Sequence, residues 1–154
     1  MSGAHGRRAL VTGGARGIGA AIVRRLESDG HVVVAPPREA LDLASPASID
    51  SWIRGSAGER VDILVNNAGI NVLMGIDEID PATWATMLQV NLTSALRLLQ
   101  AFGPPMAERG WGRIVNVASI FAVVTKERRA AYSMTKAALA ALTVLSLLIA
   151  GVYQ

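Results

Sequence analysis

Ala9-Leu10-Val11-Thr12-Gly13-Gly14-Ala15-Arg16-Gly17-Ile18-Gly19 is the stretch that decides the fold. Its first four residues read as a short buried strand that stops at Gly13-Gly14. From Gly17 to Ser28 the apolar residues Ile18, Ala21, Ile22 and Leu26 recur at helical spacing, and Asp29-Gly30 closes that helix. Glycines between strand and helix allow positive φ and close backbone approach, so a pyrophosphate can rest on free amides at the helix start. The pattern T-G-x-x-x-G-x-G is spaced differently from G-x-G-x-x-G. It also lacks the Gly-Lys-Ser/Thr of a P-loop, which argues against an NTPase. The bland alternative is a tight strand-to-helix turn with no ligand.

The alternation continues outward from this unit. His31 to Ala35 reads as a second strand, ended by Pro36-Pro37, which cannot donate in a ladder. A short third element is expected around Ala40 to Leu43. Ser45-Pro46 then starts a helix, with serine as cap and proline at the first helical position. Val61 to Val65 is the next strand, running into Asn66-Asn67-Ala68-Gly69. Asp80-Pro81 opens a long helix with an inner stripe of Trp84, Leu88, Leu92, Ala95, Leu96, Leu99 and Phe102, interrupted at Gly103-Pro104-Pro105. Arg113 to Ala118 is a further strand, and a final helix begins near Ala130. This order predicts a parallel sheet with helices on both faces and right-handed crossovers.

Composition narrows the function classes. A chain of 154 residues with no internal repeat or linker fits one domain, spanning 1–154. At 51% hydrophobic and 18% charged residues it is too apolar for a disordered chain. Cysteine is absent, which excludes disulfides, thiolate zinc sites and cysteine nucleophiles. Only His5 and His31 supply imidazoles, far apart, so no metal site is expected. The net charge is +3 and the arginines are scattered without interleaved aromatic residues, which does not suit a nucleic-acid partner. Arg7-Arg8 is followed by glycine-rich sequence rather than an apolar export segment, so a cytoplasmic location is expected. The uncharged run Ala137 to Val152 has 16 residues, short of the roughly 20 that span a membrane.

Polar residues fall repeatedly where strands end, which is where open α/β sheets bind ligands. Asn67, Ala68 and Gly69 follow one strand and Ser119 follows another. Asn91 sits on a helix, on its Leu88/Leu92/Leu96 side, where a buried amide needs partners and could simply tie down backbone. Tyr132 and Lys136 are four residues apart, so they face the same way on a helix. An ammonium about 6 Å from a phenolate contributes roughly 2.8 kcal/mol at an effective dielectric of about 20, which suits a phenol for general acid–base work. A surface tyrosine beside a solvated lysine is the competing reading.

Thr12-Gly13…Gly17…Gly19, Asn66-Asn67-Ala68-Gly69, Asn91, Ser119 and Tyr132…Lys136 resemble, in order and spacing, the motifs of the short-chain dehydrogenase/reductase family. The resemblance covers about residues 7–143, and Val65 to Leu142 is most similar to the 3-oxoacyl-carrier-protein reductase-like branch. It implies a Rossmann-type, doubly wound α/β fold in three α/β/α layers, lacking the family's last strands. It also implies an oxidoreductase that interconverts a carbonyl and a secondary alcohol of a small molecule with NAD(P). Tyr132 would be the general acid/base and Ser119 would hold the substrate oxygen. Lys136 would favour the phenolate and bind the nicotinamide ribose, while Asn91 would position a water linking Lys136 to solvent. Gly13, Arg16, Gly17, Ile18 and Gly19 would form the pyrophosphate loop. Asn67, Ala68 and Gly69 would line the adenosine side, with Asp42 and Leu43 at the adenine.

The second strand lacks an immediate carboxylate, and Arg16 and Arg38 lie near its end in sequence, which favours NADP(H) over NAD(H). The opposite reading has Glu39 on the ribose and both arginines at the surface. Family members form homo-dimers or tetramers, and their chains continue past this point into a strand with a Pro-Gly pair, a substrate lid and a final strand. Here Val144 to Gln154 departs from that pattern. A truncated, non-catalytic nucleotide-binding remnant is therefore the alternative.

Overall fold

The structure, a computed structural model, describes residues 6–149, with side chains to residue 143. Four strands form one sheet: β1 (Arg8–Val11), β2 (Val32–Val34), β3 (Ile63–Asn66) and β4 (Arg113–Asn116). Their order is β2-β1-β3-β4, and every pairing is parallel, with Ala9 opposite both Val33 and Ile63, and Leu64 opposite Ile114. Alternation along the strands sorts the core into two layers. Leu10 and Leu64 face α2 (Pro46–Gly55) and α4 (Ser94–Glu108), meeting Ile49, Leu98, Phe102 and Met106. Ala9, Val11, Ile63 and Val65 point the other way, onto Ile22, Val23 and Leu26 of α1 (Gly17–Ser28). The result is the expected doubly wound Rossmann-type arrangement. The last helix, α5 (Ala130–Ile149), packs Leu139 and Leu142 against Ala95 and Leu99 of α4.

Helix starts follow their sequence signals. Ser45 accepts from the Ser48 amide ahead of Pro46, and Asp80 accepts from the Thr83 amide ahead of Pro81, which opens α3 (Pro81–Leu88).

Three expectations are corrected. Ala40 to Leu43 forms no regular element: the Ala40 and Leu41 amides both turn back onto Pro37 O, although Leu41 and Leu43 are buried in the core. Gly103-Pro104-Pro105 does not break the helix, which runs to Glu108. Phe102, Gly103 and Met106 are buried there, so packing against the sheet holds the turn despite the two missing amide donors. The long helix is also not uniform, because Gln89–Thr93 widens to a π-helical turn between α3 and α4. That turn rotates the buried face, so Met87, Val90, Asn91, Ala95 and Leu98 are inside while Leu88, Leu92 and Leu96 are only half-buried.

Among the described residues no helix is long and apolar enough to cross a membrane. The end of the uncharged Ala137–Val152 run lies outside the described residues.

At the opposite end of the strands Asp62 is buried and accepts from the Arg8 amide at 3.1 Å and from Arg60 Nε at 2.6 Å. Burial alone raises its carboxyl, but these two hydrogen bonds and the charges of Arg60 and Arg109 hold it below the ordinary carboxylate range. Asp62→Asn is expected to lower the unfolding free energy by about 1–3 kcal/mol in urea denaturation at neutral pH. Because the folded carboxyl is the stronger acid, the gap between parent and variant should persist above about pH 4 and close as pH falls below it.

Candidate active site

The glycine loop is built by crowding at the strand ends. Gly13 and Gly17 have φ of 65° and 56°, in the left-handed region that a side chain disfavours. A Cβ on Gly19 would lie 2.2 Å from Gly13 O, so no larger residue fits without moving backbone. Arg16 precedes α1 in extended conformation and its side chain caps nothing. The first-turn amides of Gly17, Ile18 and Gly19 therefore have no intrahelical partner. Arg16 and Ile18 are exposed beside them.

The loop is tied to the end of β3. Asn67 Nδ2 donates to Thr12 O at 2.9 Å and to Gly13 O at 3.2 Å. In return Thr12 Oγ1 accepts from the Asn67 and Ala68 amides, both at 3.1 Å. Sequence reading placed Thr12 in the motif without assigning it this work. Asn66, by contrast, bridges structure: its Nδ2 donates to Asn116 Oδ1, and Asn116 Nδ2 donates to Thr143 Oγ1 on α5.

Beyond β2, Arg38 pairs with Asp42 at 3.3 Å. A hydrogen bond from the Ala44 amide lowers the Asp42 carboxyl; burial opposes it, and the Arg38 partner adds to the lowering. The Leu43 side chain is buried in the core, while its carbonyl accepts from Gln89 Nε2 at 3.2 Å.

The second cluster lies where α5 meets the π-helical turn. Asn91 is buried, and its amide grips one residue from both sides: Oδ1 accepts from the Ile70 amide and Nδ2 donates to Ile70 O, each at 2.8 Å. Nδ2 also donates to Thr135 Oγ1 at 3.0 Å, and that hydroxyl donates to Tyr132 O at 2.8 Å. Thr135 is fully buried. Sequence reading missed it, although it sits inside the Tyr132–Lys136 turn.

Lys136 is buried, its Nζ donating to Val117 O at 2.7 Å and lying 5.8 Å from the centre of the Tyr132 ring. Burial lowers its ammonium below the ordinary lysine range. No carboxylate pairs with it among the described residues. A Cβ on Gly69 would stand 3.3 Å from Asn91 Oδ1 and 3.4 Å from Lys136 Nζ, so glycine there leaves room between amide and ammonium. Ser119 opens a single tight turn, Ile120–Ala122, in which its Oγ accepts from the Phe121 amide at 3.2 Å and keeps its own proton to donate. Phe121 meets the Tyr132 ring edge-on at 6.3 Å, which brings the Ser119 turn against the start of α5.

The fold and these strand-end clusters define a Rossmann-type α/β chain with a glycine-lined helix start and a buried lysine. The chain belongs to the short chain dehydrogenase family, whose model matches residues 39–146. It is 32% identical to D-beta-hydroxybutyrate dehydrogenase of Cupriavidus necator, over 86% of this chain and 60% of that protein. It is 35% identical to the 3-oxoacyl-(acyl-carrier-protein) reductase of Vibrio cholerae, over 86% of this chain and 63% of that protein. The chain thus spans somewhat under two thirds of these relatives. Among solved structures, a metagenomic short-chain oxidoreductase in complex with NADP superimposes with a TM-score of 0.87 at 33% identity, covering 94% of this chain and 75% of that one.

Thr12→Val would strand the Asn67 and Ala68 amides in part-buried surroundings. It is expected to destabilise the chain by about 2 kcal/mol in chemical denaturation, whereas Thr12→Ser, which keeps the oxygen, should recover most of that loss.

Proposed function

We propose that this chain carries the cofactor and proton-transfer machinery of an oxidoreductase that interconverts a carbonyl and a secondary alcohol with a nicotinamide dinucleotide. The observation that carries the reading is Lys136, a buried ammonium without an acid partner among the described residues, one helical turn from Tyr132. A fold gains no stability from such a group, and perturbed buried ions concentrate at functional sites.

The residues present fit the cofactor. The free amides at Gly17 to Gly19 and the closely packed Gly13–Gly19 pair form a cradle for a pyrophosphate, with Arg16 beside it. Asn67, Ala68 and Gly69 would line the adenosine side, and Asp42 and the Leu43 backbone would meet the adenine. NADP(H) is favoured over NAD(H). Arg38, held by Asp42, keeps further guanidinium donors for a ribose phosphate, and the metagenomic relative is in complex with NADP. Bound there, the nicotinamide supplies or accepts the hydride.

In the reducing direction Tyr132 gives its phenolic proton to the oxygen that is becoming an alkoxide. Ser119 donates a hydrogen bond to the same oxygen, a contact that strengthens as charge develops on it. The Lys136 ammonium stabilises the phenolate left behind and offers donors to the nicotinamide ribose. Asn91 and Thr135 hold the first turn of α5 against Ile70, and the space at Gly69 accommodates a water that passes protons between Lys136 and solvent. A small-molecule substrate, a cytoplasmic location and a homo-dimer or tetramer belong to the same reading.

Tyr132→Phe is expected to reduce kcat by about a hundredfold or more while leaving dinucleotide binding, followed by fluorescence titration, within a few-fold of the parent. Lys136→Met should also abolish turnover, yet shift stability by no more than about 1 kcal/mol, because removing the buried charge offsets the lost bond to Val117 O. Because burial lowers the Lys136 ammonium, a rate that needs it charged should decline at lower pH on the alkaline side than an exposed lysine would give. Dinucleotide binding with no turnover of any oxo compound would overturn the hydride-transfer reading in favour of the remnant.

A further inference from the structure

At the end of the sheet where the strands begin, the last turns of α2 and α4 and the chain entering β3 frame a cleft of about 340 Å³. That volume lies at the lower end of the range that holds small-molecule ligands. Its apolar lining comes from Ile53 of α2, Val61 ahead of β3, and Ala101, Phe102 and Pro105 of α4. Val61 and Phe102 are buried, and Trp52 meets the Phe102 ring edge-on at 6.1 Å. Two arginines complete the wall. Arg109, just past α4, donates to the Val61 carbonyl at 2.7 Å and stands 4.0 Å from Asp62. The bond to Val61 O fixes the guanidinium at the cleft and leaves further donors on its fork. Arg54, in the last turn of α2, is exposed and makes no ion pair or hydrogen bond through its guanidinium among the described residues. The acids nearby are already engaged: Glu59, which also lines the cleft, pairs with Arg8, and Asp62 is shared by Arg60 and Arg109. An apolar hollow is thus joined to an unmatched cation.

We propose that this cleft is a binding site for a small amphiphilic carboxylate, with its apolar body against Val61 and Phe102 and its carboxylate on Arg54 and Arg109. The lining selects the body. A small hydrophilic anion gains nothing from apolar walls, whereas an apolar ring or chain is withdrawn from water there. The charges select the head group. Arg54 is unmatched and Arg109 is partly matched by Asp62, so the site has cation to spare for about one negative charge. A polyphosphate would bring its further charges against Glu59 and Asp62. The planar fork of arginine matches a carboxylate in two parallel bonds. The site is separate from the dinucleotide cradle, because the glycine loop and Asn67 to Gly69 follow the strands whereas this cleft precedes them. It goes beyond the oxidoreductase reading and does not depend on it.

Calorimetric titration of the full chain with 2-naphthoate, with its neutral amide and with acetate tests the site. The parent should bind naphthoate at one site, about tenfold more tightly than the amide, and acetate much more weakly than either. Arg54→Gln should erase the preference for the acid, and Arg54→Lys, which keeps the charge but not the fork, should keep part of it. Ala57→Phe, at an exposed position that lines the cleft, should weaken naphthoate at least about tenfold by filling the space. Both positions are at the surface, so thermal unfolding of these variants should match the parent and exclude loss of fold as the cause. Saturating NADPH should leave the naphthoate affinity unchanged. Absence of saturable naphthoate binding, or equal binding of acid and amide, would overturn the proposal. So would naphthoate binding that survives both Arg54→Gln and Ala57→Phe, or that NADPH displaces, since the acid would then sit elsewhere. A chain that binds naphthoate in this way but turns over no oxo compound would keep the carboxylate site and lose only the hydride-transfer reading.

Discussion

One hydroxyl holds the site's architecture. Parallel strands that end at a common edge leave backbone amides pointing past the sheet, where no ladder can satisfy them. Thr12 Oγ1 accepts two of these, from Asn67 and Ala68, and itself donates to Val65 O at 3.4 Å. Asn67 returns the contact through Thr12 O and Gly13 O. The loop after β1 is thereby fixed against the end of β3, and Gly13 O is pressed to where a side chain on Gly19 would begin. The glycines follow from this latch as much as from any ligand: once Thr12 and Asn67 are bonded, Gly19 has no alternative. The uncapped first turn of α1 is then left as a rigid set of donors.

The α5 side of the site uses the same device with different residues. The π-helical turn at Gln89–Thr93 places the Asn91 amide inside, where it closes a two-way bond with Ile70. Thr135 takes its remaining donor and passes the contact to Tyr132 O. Such widened turns recur at functional sites because the extra residue re-aims a side chain without ending the helix. Here it lets one asparagine brace both the loop after β3 and the helix that bears the phenol. Lys136 is the exception to this economy. Removing an ammonium from water costs several kcal/mol, and a single carbonyl returns only part of it.

Much of this was legible in the sequence, and the rest was hidden for identifiable reasons. Strand and helix order followed from period and punctuation, since Gly13-Gly14, Pro36-Pro37 and Asp80-Pro81 each act on their own neighbours. The Tyr132–Lys136 pair was legible because helical spacing alone aligns the two residues. The continuation of α4 through Pro104-Pro105 was not, because proline's effect is local while the burial of Phe102 and Met106 against the sheet is not. Ala40 to Leu43 carries buried leucines, but the amides of Ala40 and Leu41 close a turn onto Pro37 O instead of building a regular element. The π-helical turn left no compositional trace, so the stripe through Leu88, Leu92 and Leu96 was displaced from the face that is actually buried. Thr135 and the Val117 carbonyl act through contacts that no spacing rule announces.

The contact between the two loops before Tyr132 is set by a residue in an unfavourable conformation. Arg128 has φ of 60°, the only non-glycine residue with positive φ among those described. A side chain in that region costs roughly 1–2 kcal/mol, so something must hold it there. The Arg128 carbonyl accepts from the Met74 amide at 3.1 Å, while its side chain reaches Leu73 O and Glu78. Glu78 also accepts from the Gly75 amide at 2.7 Å, so its carboxylate bonds both its own loop, between β3 and α3, and Arg128 on the loop before α5. Four residues before the phenol, then, the two loops that flank it are pinned together, and the strain at Arg128 is offset by bonds made wholly to the opposite loop. The sheet fixes the glycine-loop end of the strand-end cluster through Thr12 and Asn67. The Tyr132 end is instead fixed between loops, where spacing depends on side chains that parallel strands do not dictate.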